Sequence, residues 1–328
     1  MKHSLKITLL LLLIFVLAQI NGLFVVAYYI DIKESALAGR TVVHEEKYAE
    51  ANLTAPVVEN ESASFVYIFL ALLMGTAFVL VLIKFKQGNF WKVWFFLSVV
   101  VTLVISLNTW TFRLLSSFGS SRILLGATIV LASIFAYYKV FRQNILIHNI
   151  SEIFIYGGLA ALLVPIMNMT SIVIVLILVA FYDMYAVWKS KHMIAMAEFQ
   201  TEQKVFAGLF IPYKIDSSSQ EKQSIAVQKK GITTSASQKT SRKIAVPVPS
   251  QVSTAILGGG DVAFPLLFSG VLMKTAGNYF APALTTVTTT IALALLFYYG
   301  EKGKFYPAIP FVAAGCFVGY GLYFVLTL

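Results

Sequence analysis

Nine apolar runs, separated by polar segments, set the strongest limit on what this chain can fold into. Of its 328 residues, 58% are hydrophobic and only 12% are charged, and the mean hydropathy is +0.80. A soluble domain does not have this composition, whereas a membrane-spanning helix needs about 20 mostly apolar residues. The runs that approach this length are Leu5–Ile30, Ser64–Ile83, Val93–Thr111, Ile123–Tyr138, Glu152–Val164, Ser171–Trp188, Ile256–Met273, Tyr279–Tyr299 and Tyr306–Leu328. The sequence therefore predicts an all-α polytopic membrane protein with nine transmembrane helices.

The basic residues between the runs predict its orientation. With the N-terminus in the cytoplasm, the inner segments hold 19 of the 25 Lys and Arg residues. Without the long segment between the sixth and seventh runs, the inner segments still hold 9 Lys and Arg residues and the outer segments 6. Inner loops of membrane proteins are enriched in these residues, and the outer segment from Asp31 to Ala63 holds 7 of the 15 acidic residues. The N-terminus is therefore expected to be cytoplasmic.

A polar segment divides the nine runs into six and three. From Asp216 to Ser250 it is rich in Ser, Gln, Lys and Thr and has no apolar periodicity, which is typical of a flexible linker. We expect residues 1–200 to hold transmembrane helices 1 to 6, residues 201–250 to form a flexible cytoplasmic linker, and residues 251–328 to hold helices 7 to 9.

Two acidic residues, Asp183 and Asp261, lie inside apolar runs, where ionisable groups are costly and usually functional. Asp183 precedes the end of the sixth run by five residues, and Asp261 follows the start of the seventh by five. At about 1.5 Å per residue, both lie at the same depth near the inner surface. Two neighbouring carboxylates share one proton, so that one activates water and the other donates to a scissile carbonyl. The pair predicts peptide hydrolysis.

Residues next to the two acids and at the start of the ninth run are further candidates for binding substrate or shaping the site. Successive glycines weaken a first helical turn and expose backbone groups to an extended substrate, although small residues also serve tight helix packing. Two prolines at a helix start are ordinary but prevent a regular first turn, and a tyrosine there either donates its hydroxyl or anchors the interface. These candidates are Tyr182, Gly258, Gly259, Gly260, Pro307, Ala308 and Ile309.

The remaining polar residues give no sign of a metal, a cofactor or nucleic acid. The four histidines are scattered without metal-ligand spacing, and the single Cys316 lies in an apolar run, as a small buried hydrophobe does. The net charge of +10 lies almost entirely between the runs, where basic residues face the membrane surface. Glu152, near the inner end of the fifth run, is expected to be interfacial and solvated, with a hydrogen bond within the bundle as the alternative. We expect no metal, no cofactor and no nucleic-acid partner.

A second function uses the same acids: a proton-coupled transporter or a cation leak channel. A lone Asp in a membrane helix serves such a path more often than it serves a protease. However, no inverted repeat relates the two parts of the chain, and six plus three spans do not divide into matching halves as many transporters do. A non-catalytic scaffold leaves both acids unexplained. The protease interpretation is favoured, with the transporter as the alternative.

Three short motifs together resemble the YD, GxGD and PAL signatures of the presenilin and signal peptide peptidase family of intramembrane aspartyl proteases. They are Tyr182-Asp183, Gly258-Gly259-Gly260-Asp261 and Pro307-Ala308-Ile309, and they occur in the family's order on the sixth, seventh and ninth runs. Ile309 stands where the family usually has Leu, a swap of equal size. The resemblance implies that Asp183 and Asp261 are the catalytic pair and that residues 307–309 help to shape the site and position substrate.

The resemblance also implies partners and a location. An inward N-terminus and a long segment between helices six and seven are similar to the presenilin side of the family, and the compact size resembles a microbial homologue. This implies transmembrane proteins as substrates, a lipid bilayer as surroundings and the cell membrane as location. Neither the substrate's identity nor the oligomeric state, a homo-oligomer included, follows from the sequence.

Overall fold

The computed structural model describes residues 5–56, 58–117, 119–142, 144–190, 199–200, 202–203, 205–214, 252–300 and 306–328. Within these ranges, nine long helices carry the apolar runs, and two short helices follow the first of them. The helices are α1 (Leu5–Tyr29), α2 (Ile32–Ala38), α3 (Glu45–Glu50), α4 (Ser64–Lys84), α5 (Gly88–Leu115), α6 (Ser121–Tyr137), α7 (Ile145–Leu163), α8 (Met169–Tyr185), α9 (Gly259–Ala276), α10 (Phe280–Tyr299) and α11 (Ile309–Thr327). Two strands, β1 (Gly208–Lys214) and β2 (Val252–Gly258), pair in a small sheet.

Seven of the long helices, with the short turns that extend them, are long and apolar enough to cross a membrane: α1, α4, α5, α6, α7, α10 and α11. The apolar helix α8 is shorter, with 17 residues. Helix α9 has 18 residues, and it contains Asp261, Pro265 and Lys274. The all-α class and the polytopic membrane character are confirmed. The count of nine spans and the orientation of the N-terminus stay predictions.

Helix α9 lies at the centre of the helical bundle. All its residues from Pro265 to Lys274 are buried, and the helix packs against α1, α7, α8, α10 and α11. A helix that is surrounded by other helices must be apolar or small on every side. This packing places the residue at its N-terminal end, Asp261, among several neighbouring helices.

Polar side chains of α1 tie that helix to two others. Gln19 Nε2 donates to the Val262 carbonyl at 2.9 Å, and Asn21 Nδ2 donates to the Ile153 carbonyl at 3.0 Å. Both side chains are buried, and the hydrocarbon region of a bilayer offers no water to replace such partners. These bonds therefore fix α1 against α9 and α7.

Helix α7 begins seven residues before the predicted start of the fifth run at Glu152. Its N-cap is Asn144, whose side chain accepts hydrogen bonds from the backbone N–H groups of Leu146 and Ile147. Asparagine is a favoured N-cap because its side chain satisfies N–H groups that have no partner within the helix. The apolar-run criterion missed this start because His148 and Asn149 interrupt the hydrophobic pattern.

The chain divides into two compact units, residues 1–209 with 257–328, and residues 210–256. The first unit is the helical bundle. In the second, the structure describes residues 210–214 and 252–256, which belong to β1 and β2. Most of the predicted linker, residues 201–250, lies outside the described residues, although β1 falls within its bounds.

The predicted start of the seventh helix at Ile256 is wrong, since α9 begins at Gly259. Residues Val252–Gly258 pair as a strand with β1 instead. A short apolar stretch such as Ala255-Ile256-Leu257 fits a buried strand as well as a helix, and here the pairing with β1 decides between them.

Gly158 allows a close approach between α5 and α7. A side-chain carbon added at Gly158 would lie 1.9 Å from the backbone oxygen of Thr102, which cannot move without displacing α5. We expect Gly158→Ala to lower the free energy of unfolding by about 1–3 kcal/mol through overpacking, measured as a lower apparent thermal midpoint in detergent.

The matched control is Gly126→Ala in α6, where an added carbon meets nothing within 4 Å. In a helix interior, Ala is favoured over Gly by about 0.5–1 kcal/mol. The control should therefore leave the midpoint unchanged or raise it slightly. Equal midpoints for the two variants would contradict the close approach of α5 and α7.

Candidate active site

Asp183 lies at the C-terminal end of α8 and is 9% exposed. Its Oδ2 accepts a hydrogen bond from the backbone N–H of Ile309 at 3.3 Å. Ile309 is the first residue of α11, and the first N–H groups of a helix have no partner within it. The carboxylate of Asp183 therefore caps α11 from outside, which brings the predicted Tyr182-Asp183 and Pro307-Ala308-Ile309 motifs together.

Asp261 is the third residue of α9 and is half-buried. A carboxylate in the first turn of a helix interacts favourably with the partial positive charge of the helix N-terminus. Pro265, four residues later, has no N–H with which to donate to the Asp261 carbonyl in the usual helical pattern. The first turn of α9 is instead supported from α1, where Gln19 donates to the Val262 carbonyl.

The Ile309 side chain also lies near the start of α9. A side-chain carbon added at Gly260 would lie 3.7 Å from Ile309 Cδ1, an ordinary van der Waals distance. Since Gly260 precedes Asp261 in the chain and the Ile309 N–H binds Asp183, Ile309 is close to both acid-bearing regions. Pro307 is buried, and Ala308 immediately precedes α11.

Tyr182 points its hydroxyl toward α4 rather than toward Asp183. The hydroxyl lies 3.4 Å from Thr76 Oγ1, to which it donates, and Thr76 donates in turn to the Leu72 carbonyl of its own helix at 2.9 Å. Tyr182 thus connects α8 with α4 beside the acid. Its predicted contact with a carboxylate or a substrate carbonyl stays a prediction.

A cavity of about 220 Å³ opens beside Asp183. Its walls are mostly apolar, and Asp183 is the acidic group among them. The lining residues are Phe69, Leu72, Leu73 and Thr76 of α4, Val179, Tyr182, Asp183 and Ala186 of α8 and the turn after it, Phe264 of α9, and Ile309 of α11. Because most of α4 is exposed, this wall of the cavity faces the lipid side of the bundle.

One group of charged residues differs from the sequence-based expectation. Glu152 is not solvated at the interface: it is 2% exposed, and its carboxylate binds the Lys139 ammonium. His148 lies against the same lysine, with Nδ1 3.2 Å from Lys139 Nζ. The sequence carries one signal that could have found this cluster, because His148 and Glu152 are four residues apart and share a face of α7.

The fold and the site together define a class, a multi-pass membrane protein with acidic residues at the ends of two central helices. A family model described as "Signal-peptide peptidase, presenilin aspartyl protease" matches residues 10–327. The chain therefore belongs to the family of signal-peptide peptidases and presenilin aspartyl proteases. The predicted family and the predicted enzyme class, an intramembrane aspartyl protease, are confirmed.

Two solved structures share the fold. Both are described as a presenilin family intramembrane aspartate protease, one in space group C222 and one in P2. The first is 15% identical over 97% of this chain and 99% of the other, with a TM-score of 0.56. The second is 16% identical over 96% of each chain, with the same TM-score. Among curated proteins, no sequence matches this chain.

Gly258 lies directly against the Asp261 carboxylate. A side-chain carbon at Gly258 would be 3.1 Å from Asp261 Oδ2, closer than a normal contact. The backbone at Gly258, with φ −61° and ψ 147°, suits alanine, so Gly258→Ala introduces that contact without backbone strain. We expect the carboxylate to shift and kcat on a single-span substrate in proteoliposomes to fall about tenfold.

Gly126→Ala, far from the site in an open part of α6, serves as the control and should keep the wild-type kcat. The apparent thermal midpoint of Gly258→Ala should stay close to wild type, which separates a displaced carboxylate from a damaged fold. A wild-type kcat for Gly258→Ala would contradict a role for the Asp261 position in the reaction.

Proposed function

We propose that this protein is an intramembrane aspartic endopeptidase that hydrolyses peptide bonds within transmembrane segments of other membrane proteins, with Asp183 and Asp261 as the catalytic pair. The observation that supports the proposal most directly is the position of Ile309, whose N–H binds Asp183 and whose side chain lies near Gly260, the residue before Asp261. Family membership supports the same chemistry.

The two carboxylates share one proton in the resting enzyme, because two negative charges close together are costly. The ionised carboxylate takes a proton from a water molecule, whose oxygen attacks the peptide carbonyl carbon. The protonated carboxyl donates to the carbonyl oxygen. As the tetrahedral intermediate collapses, the amine leaves with a proton, and the pair returns to its singly protonated form.

The substrate reaches this pair through the cavity next to α4. A peptide bond inside a helix is shielded by its own hydrogen bonds and side chains, so the substrate helix unwinds locally before it is cleaved. In the bilayer, its freed backbone groups need new partners. The backbone around Gly258 and Pro307 offers N–H and C=O groups for this pairing.

The proposed membrane topology and location follow the sequence-based predictions. The protein crosses the cell membrane nine times with a cytoplasmic N-terminus, and the carboxylates lie near the inner surface, where cytosolic water reaches them. Cleavage then occurs near the cytoplasmic end of the substrate's transmembrane helix. No cofactor or metal takes part in this chemistry, because the two carboxyl groups supply both acid and base.

Asp261→Asn and Asp183→Asn test the catalytic pair, since an amide keeps the size of the carboxyl but can neither take up the water proton nor share one. We expect each variant to lower cleavage of reconstituted single-span substrates by at least about a hundredfold. Products are identified by mass spectrometry after incubation with several substrates of different sequence.

The matched control for that experiment is Asp31→Asn, which makes the same chemical change at the N-cap of α2, where asparagine is also a good cap. It should cleave at the wild-type rate. Retained cleavage by Asp261→Asn would contradict the proposed pair. Acid-dependent ion flux in the same liposomes, without any peptide product, would instead support the transporter alternative.

Leu73→Trp tests the cavity as the substrate path. Leu73 lines the cavity on α4, and the larger indole side chain narrows it. If the substrate helix packs there, the loss of about 1 kcal/mol of packing raises KM about fivefold with kcat unchanged. Leu70→Trp, an exposed position of α4 outside the cavity lining, is the matched control and should keep the wild-type KM.

A further inference from the structure

Lys139, His148 and Glu152 form a charged cluster, here called the Lys139 cluster, that the proposed chemistry does not use. The Lys139 and Glu152 side chains are 1% and 2% exposed, and that of His148 is 5% exposed. Lys139 lies in the turn Tyr138–Arg142 between α6 and α7, whereas the other two residues are on α7. Burying such groups is costly, and apolar residues often give a more stable protein. The cluster therefore calls for an explanation beyond stability.

The Lys139 cluster holds the backbone of the segment Phe206–Gly208. His148 Nε2 lies 2.8 Å from the Gly208 carbonyl oxygen, and Lys139 Nζ lies 3.5 Å from the Phe206 carbonyl oxygen. Since a carbonyl only accepts, His148 Nε2 donates to Gly208. His148 Nδ1 then accepts from the Lys139 ammonium, an arrangement that fits a neutral imidazole. Glu152 balances the ammonium charge and fixes its direction.

The Ala207 carbonyl, which lies between those of Phe206 and Gly208, has a different partner. Ala207 O accepts a hydrogen bond from the Gly259 N–H at 3.2 Å. The Lys139 cluster thus lies against the carbonyls on either side of Ala207, while the Ala207 carbonyl binds Gly259. Gly259 is the first residue of α9, and its N–H is one of those that a helix start leaves without an internal partner.

Glycine at position 208 fits this arrangement. Gly208 has a φ of 147°, and a side-chain carbon there would lie 2.5 Å from the Leu257 carbonyl oxygen. Gly208 therefore lies close to the backbone of Leu257, two residues before Gly259.

Tyr156 extends the same face of α7 toward the site. It lies four residues after Glu152 and is 4% exposed. Its hydroxyl makes no hydrogen bond of normal geometry with the described residues, and it would be 3.3 Å from a side-chain carbon at Gly259. His148, Glu152 and Tyr156 thus form one row of α7 that leads from the Lys139 cluster to the start of α9.

We propose that Lys139 and His148, oriented by Glu152, are positioning residues for the reaction. They hold Phe206–Gly208 so that the Ala207 carbonyl fixes the Gly259 N–H, and this contact sets the position of the first turn of α9 and of Asp261, two residues further on. The inference rests on the proposed catalytic role of Asp261. None of the three residues of the Lys139 cluster lines the cavity beside Asp183.

Lys139→Met tests this proposal because it keeps the length of the side chain and removes its donors. We expect kcat to fall about ten- to hundredfold, with KM unchanged because the α4 wall is not altered. Lys139→Arg restores the charge and the donors and should recover most of the lost kcat. Hydrogen exchange followed by mass spectrometry should show faster exchange of the amides at residues 205–210 and 257–261 in Lys139→Met.

The matched control is Lys274→Met. Lys274 is also buried, pairs with Glu61 at 3.3 Å, and lies at the other end of α9. The control loses a buried ion pair of the same kind without touching Phe206–Gly208. We expect a lower apparent thermal midpoint, a kcat within about twofold of wild type, and unchanged exchange at residues 257–261.

His148→Phe is the second variant, and it decides the question if Lys139→Met does not fold. It removes the bond to the Gly208 carbonyl and leaves the pair of Lys139 and Glu152 in place. A lower kcat with faster exchange at residues 257–261 supports the proposal. Wild-type kcat and exchange in a folded variant overturn it, and so does an equal loss of kcat in Lys274→Met, which would indicate a purely structural effect.

Failure of this inference is distinct from failure of the proposed function. The exchange measurement needs no cleavage, so it reports on the link between Phe206–Gly208 and Gly259 even in an inactive preparation. If Asp261→Asn kept its activity, the proposed function would fall whatever the exchange showed. If Asp261→Asn were inactive but Lys139→Met behaved as wild type, only the positioning role would fall.

Discussion

A polar group inside a bilayer must find its partner within the protein, and this requirement governs where the helices of this chain meet. Three hydrogen bonds lie at the ends of α8, α9 and α11, close to the two acids. Gln19 binds the Val262 carbonyl, the Ile309 N–H binds Asp183, and the Gly259 N–H binds the Ala207 carbonyl. Each bond satisfies a group near one of the two acids. These bonds satisfy backbone groups that lipid cannot bind, and in the proposed mechanism they also orient the carboxylates.

Helix α9 shows how a functional helix start differs from an ordinary one. Its first turn has Gly259 and Gly260 before Asp261, its N-cap is Gly258, and Pro265 follows Asp261 by four residues, so its own hydrogen bonds and side chains do little to hold it. Support comes from α1, α7 and the segment before β1 instead. A helix start that is held from outside depends on its neighbours, and this is the physical basis of the positioning role proposed for Lys139.

Much of the fold could be predicted from the sequence, because a lipid environment makes apolar length an unusually direct signal. The nine helices lie near the predicted runs, and the three motifs lead to the family. The strand before Gly259 could not be predicted, since its pairing partner β1 lies within residues 201–250, which the sequence assigns to a linker. The partnership of Lys139 with Glu152 was missed for another reason: a charge at the end of a run usually faces the interface, and only the folded chain brings these two together.

The exposed side of α4 has a consequence for selectivity. Only 6% of its most apolar stretch is buried within the protein, and Phe69, Leu72, Leu73 and Thr76 of this helix form one wall of the cavity. When no peptide occupies that place, lipid acyl chains are its nearest occupants, and they surround the protein in vast excess. In the proposed mechanism, a substrate helix therefore competes with lipid acyl chains for this place, rather than with water. The substrate side chains that best displace an acyl chain determine which helices enter.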